Sequence, residues 1–120
     1  MPTLKLTLTA ELDSQLVPGF PIVRRLVVDE VQAFDYKRTS GGTYVALPLD
    51  QIDTVQVFVM QTDREVTLRF QGQSDAGLVL HAGGLVLLFD VDLDAGFATN
   101  VTVNNNSGIT ATLRGLGAGT

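Results

Sequence analysis

A two-residue rhythm of apolar and polar side chains constrains this chain more than any other feature of its sequence. In TLKLTLT, Leu4, Leu6 and Leu8 alternate with Lys5, Thr7 and Thr9. Successive side chains of an extended chain point to opposite faces, so this pattern predicts a strand with one dry face and one wet face. In EVTLRFQ, Val66, Leu68 and Phe70 oppose Thr67, Arg69 and Gln71 in the same way. Related runs recur in FDYKR, TYVAL, ATNVTVNN and ITATLRG, and no segment of ten or more residues carries the spacing of an amphipathic helix. VVDEVQAF can be read as a helical turn through Val28, Val31 and Phe34, but its β-branched content favours a strand.

The punctuation between these runs suggests local hairpins. TSGG separates FDYKR from TYVAL, Thr62–Arg64 joins TVQVFVMQ to EVTLRFQ, and NSG joins the last two runs. The two glycines of TSGG admit the positive φ that a tight reversal needs and NSG is good turn chemistry; each junction, the glycine-free Thr62–Arg64 included, is expected to pair its flanking strands. ELDSQLVPGFPI, with Pro18, Gly19 and Pro21, reads as a surface loop or crossover. GLVLHAGGLVLLFDV supplies one or two apolar strands around Gly83-Gly84. Eight or so strands at this spacing predict an all-β antiparallel sandwich of jelly-roll type, as a single domain over 1–120. The ending GLGAGT offers little side chain to pack, so a flexible C-terminal tail is expected at about 115–120.

TVQVFVMQ departs from the rhythm. Val55, Val57 and Val59 form one row while Phe58 and Met60 form the other, so both faces are apolar. Such a strand is central in its sheet or covered by another subunit. These five residues are therefore the partner-binding candidates.

Charge and composition exclude several functions. Thirteen acids against eight bases leave a net charge of −5, with no basic stripe to follow a phosphate backbone or an anionic membrane. Neither nucleic acid nor membrane is an expected partner. The absence of cysteine removes disulfides, thiolate metal sites and thiol nucleophiles. No stretch approaches the roughly 18 apolar residues of a spanning helix, and the N-terminus lacks the pattern of a secretory signal.

The densest charge cluster is DVDLDAG, with Asp90, Asp92 and Asp94 at every second position. An EF-hand loop needs oxygen ligands at positions 1, 3 and 5, glycine at 6 and glutamate at 12. Here Ala95 stands at the glycine position and Val101 at the glutamate position, so that reading fails. A calcium site of another kind remains an alternative. The simpler reading places the three aspartates outward on a strand, where they blunt an edge against unwanted pairing. A glycosidase would need two carboxyls flanking a sugar, whereas acids on one strand face point in parallel. His81 is the only histidine, and no G-x-S-x-G elbow presents a serine to it. No catalytic residue, cofactor or enzymatic activity is expected.

The run HAGGLVLLFDVDLDAGFATNVTVNNNSGITATLRGLGAGT resembles the C-terminal part of small β-sandwich virion proteins of tailed bacteriophages. TVQVFVMQTDREVTLRF and FDYKRTSGGTYVAL are similar to the same group. The resemblance implies a structural component of the particle, either a capsid decoration (cement) protein or a tail or head accessory subunit, assembled in the bacterial cytoplasm. It implies partners too: further copies of itself, with a trimer expected, and other virion proteins. The alternative is a glycan-binding adhesion module of a phage fibre, for which Tyr36, Tyr44 and the polar residues Asn104 to Ser107 would supply stacking and hydrogen bonds.

Overall fold

The computed structural model describes residues 2–49, 51–70, 77–91 and 101–120. Among them the chain forms twelve strands and no helix: β1 (Thr3–Leu8), β2 (Glu11–Leu12), β3 (Gln15–Leu16), β4 (Ile22–Val27), β5 (Glu30–Arg38), β6 (Val45–Ala46), β7 (Val55–Thr62), β8 (Val66–Arg69), β9 (Leu78–Leu80), β10 (Leu85–Phe89), β11 (Thr102–Asn104) and β12 (Ala111–Gly119). Two four-stranded antiparallel sheets, ordered β10-β7-β12-β5 and β6-β11-β8-β9, face each other as a β-sandwich. β5 pairs with β12, β6 with β11, β7 with β10 and β8 with β9. The first of these eight strands thus meets the last, and the pairs nest inward like one long hairpin wrapped round a core. The β7–β12 and β8–β11 pairings then close each sheet, giving the wiring of an eight-stranded jelly roll.

This wiring corrects the expected local hairpins. β5 and β6, β7 and β8, and β11 and β12 are neighbours in sequence, but each pair is split between the two sheets. The glycine-containing turns are corners between layers. At the β5–β6 corner, Arg38 Nη2 donates to the carbonyl and hydroxyl of Thr43 at 3.1 and 2.9 Å. At the β11–β12 corner, Asn105 is fully buried and its Nδ2 donates to the carbonyls of Arg38 and Ile109, both at 2.8 Å, while Oδ1 accepts from the Ser107 N–H at 3.0 Å. One amide side chain thereby ties two corners together.

The core fills the space between the sheets with Phe34, Leu49, Ile52, Phe58, Met60, Val66, Leu68, Val101, Val103 and Leu113 among others. Phe58 stacks on Phe34 at 6.4 Å between centroids and meets Phe70 edge-on at 6.3 Å. The expected flexible tail is in fact the second half of β12, paired with β5 on one side and β7 on the other, with Gly117, Ala118 and Gly119 buried. Its small residues are what allow it to lie there, because the neighbouring strands come too close for larger ones.

A third layer comes from the N-terminus. β1 and β4 form an antiparallel ribbon in which Leu4 faces Leu26, Leu6 faces Arg24 and Leu8 faces Ile22 across the strands. In ELDSQLVPGFPI, expected as a surface loop or crossover, Glu11–Leu16 instead extends the ribbon through β2 and β3, while Pro18 and Gly19 form a turn as expected. Asp13 and Ser14 both have positive φ, 52° and 66°, the geometry of a two-residue hairpin turn whose twist matches its strands. The base of the ribbon lies on the outer face of the β10-β7-β12-β5 sheet, where Leu4 and Leu26 pack with Val28, Val57, Val59, Phe89, Leu116 and Ala118.

Candidate functional site

The five partner-binding candidates lie on β7 and are mostly consumed by the chain itself. Val55, Val57, Phe58 and Met60 are at most 1% exposed, and Val59 is half-buried. The strand is central in its sheet, and the N-terminal ribbon of the same chain packs on its outer face. The expected rows are also altered. Ala118 pairs with Val57 and Gly119 with Val55, so Gln56 is the extra residue of a bulge. That bulge rotates Val55 into the core with Phe58 and Met60, leaving Val57 and Val59 toward the ribbon.

Of the aspartate cluster, Asp90 is exposed and has φ 57°, a left-handed conformation immediately after β10 ends at Phe89. The expected outward row of acids on a continuing strand therefore does not begin at Asp90. Asp92 and Asp94 lie outside the described residues. Among the described residues no group of three acidic or histidine side chains could hold a metal ion.

The features that would favour a glycan have structural partners. Tyr36 packs against the core, and the guanidinium of Arg69 sits 4.2 Å above one face of the Tyr44 ring. Asn104 and Asn105 are buried, the latter in the corner described above. His81 is exposed at the β9–β10 turn, its Nδ1 2.9 Å from Glu65 Oε1, so it bridges two turns at the surface. A polar depression of about 350 Å³ is bounded by Gln61, Thr62, Asp63, Thr112 and Arg114. Asp63 Oδ1 accepts from the Thr112 N–H at 2.7 Å, and Arg114 Nε lies 3.3 Å from Asp35 Oδ2. Its charged groups are thus engaged with their own sheet.

The ribbon is different, because its outer half carries apolar side chains that the chain does not cover. Leu12 is 71% exposed and Leu16 51%, and both stand at the tip. Single exposed apolar residues are ordinary, and these two gain interest only if an apolar site lies nearby. Such a site is present. A cleft of about 200 Å³ opens between the ribbon and the sheet, lined by Leu4, Lys5, Leu6, Val57, Val59, Phe89, Gly115 and Leu116. The outer sheet face continues beyond the ribbon with Leu85 and Val31, 59% and 44% exposed. Of these residues, sequence reasoning names Val57 and Val59 as partner candidates and Leu4 and Leu6 as the dry face of a strand; Leu12 and Leu16 are not singled out, although the even-numbered row of Leu4, Leu6, Leu8, Ala10 and Leu12 runs without interruption to the turn. That unbroken row was the available signal.

No family model, curated protein or solved structure matches the chain. What the surface does has to follow from its own chemistry.

Proposed function

We propose that this protein is a non-enzymatic structural subunit of a virus particle, a capsid decoration protein or a tail or head accessory, that associates with copies of itself and with other virion proteins. The observation that carries the reading is a jelly-roll sandwich bearing a projecting ribbon with an uncovered apolar tip. A sandwich closed around its own core is a rigid block, suited to packing in an array, and viral coats are one of the established uses of this wiring. The ribbon supplies what a block lacks, an apolar element that reaches beyond its own surface.

The test is the mass of the purified protein by light scattering across a wide range of concentration, with calcium and with a chelator. The expected result is a defined oligomer, a trimer foremost, unchanged by calcium. A monomer at every concentration would remove self-association from the reading. Calcium-dependent mass would return the aspartates of DVDLDAG as ligands.

A further inference from the structure

The ribbon divides its charge along its length. Lys5, Arg24 and Arg25 lie within one short stretch of it: Lys5 and Arg25 are direct cross-strand partners on one face, and Arg24, opposite Leu6, is on the other. Like charges placed opposite each other in a sheet repel. No ion pair among the described residues relieves them, and the one side-chain hydrogen bond there runs from Arg24 Nη1 to the carbonyl of Val23 at 2.9 Å. The tip is of the opposite sign, with Glu11 and Asp13 flanking Leu12. Their own ribbon holds these acids several residues away from the cations.

The apolar pattern follows the same division. The cleft at the ribbon's middle is bounded by Leu4, Leu6, Val59, Phe89 and Leu116, with Lys5 contributing to its lining. It has the volume to accept a branched aliphatic side chain. Leu12, the most exposed large apolar side chain among the described residues, arrives with an acid on either side of it in sequence. An apolar knob between two acids thus matches an apolar cleft beside a lysine and two arginines, and both halves belong to one chain.

We infer that the ribbon tip of one copy docks on the middle of the ribbon of a neighbouring copy, Leu12 entering the cleft beside Lys5 while the acidic tip that carries Glu11 and Asp13 comes to lie by the basic stretch of Lys5, Arg24 and Arg25. This inference rests on the self-association proposed above and assigns its surface. Each copy contributes one tip and one cleft, so the contact is satisfied throughout only when the copies close into a ring or exchange tips as a pair. Burial of the leucine supplies affinity, and the charges fix orientation and partner.

The experiment uses reversed charges in the full chain, with light scattering as the readout and circular dichroism as the check on folding. One variant reverses the tip by Glu11→Lys and Asp13→Lys, a second reverses the middle by Lys5→Glu and Arg25→Glu, and a third carries all four changes. All four positions are exposed, so the fold is expected to survive. Each half-reversed variant should associate at least tenfold more weakly than the unaltered protein, and the four-fold variant should recover most of the loss. Leu12→Asp should weaken association without rescue, and raised salt should weaken the unaltered protein but not change its fold. If the unaltered protein forms an oligomer that none of these changes weakens, the ribbon contact is wrong while self-association stands. If the unaltered protein is monomeric throughout, both are wrong.

Discussion

At Gly115, Gly117 and Gly119 the last strand has no room for a side chain. A Cβ at Gly117 would stand 2.7 Å from Leu49 Cδ2 and 3.2 Å from Ile52 Cδ1, the ends of side chains that can turn aside. At Gly115 it would land on the carbonyl oxygen of Val59, and at Gly119 on that of Thr54, which are backbone atoms that cannot. Gly117→Ala is therefore expected to lower stability by roughly 1–3 kcal/mol, the usual cost of overpacking a core. Gly115→Ala should cost more than Gly117→Ala. Urea denaturation of the two variants checks the order, and equal midpoints would show that β12 can move away from β7. The same glycines explain why a sequence reading sees a loose tail here. Backbone packing against backbone leaves no apolar pattern to recognise, so GLGAGT looks featureless for the very reason that it fits.

Among the elements, β7 shows what alternation can and cannot convey. That both of its faces are apolar was legible, and this left it either central in a sheet or covered by another subunit. What covers each face was not legible, because the cover comes from other layers: the β6-β11-β8-β9 sheet on the inner face and the ribbon on the outer one. The two faces should also differ in energy. Phe58 is fully buried between Phe34 and Phe70, so Phe58→Ala is expected to cost roughly 3–5 kcal/mol. Val59→Ala, at the half-buried floor of the cleft, should cost much less, and thermal unfolding of the pair distinguishes them. If the two variants melted together, the outer face would be as tightly packed as the core. The missed strand partners have one common cause. A turn's chemistry states that the chain reverses, whereas the twist and length of the flanking strands decide whether it returns beside itself or crosses to the opposite sheet. The alternation supports an all-β sandwich, but the assignment of TSGG, Thr62–Arg64 and NSG as hairpins needed information that local residues do not hold. The candidate surface was harder still, since Leu12 is an unremarkable leucine until the ribbon is seen to end there.

On the scale of the whole molecule, the nested pairing makes the two ends of the sandwich depend on each other. Glu30 at the start of β5 pairs with Gly119 at the end of β12, and β12 separates β5 from β7 throughout the first sheet. A chain stopped after Arg114 would lose half of that central strand and leave the outer half of β5 without its neighbour. It is expected to be unfolded, with the β-sheet signal in circular dichroism reduced to that of a disordered chain. Retention of a cooperative melt by the truncated chain would show that β5 and β7 can pair directly. The arrangement also sets an order of events during synthesis. A ribosome adds roughly 5–20 residues per second, so β5 emerges on the order of ten seconds before its partner is complete. Through that interval its Val31 and Phe34 have no sheet to join, and long-range pairing of this kind is slow to form once it becomes possible. The newborn chain is thus committed to waiting, and whatever shields its early strands in the meantime, a chaperone or the ribbon folded ahead of them, governs how much of it reaches the assembled form.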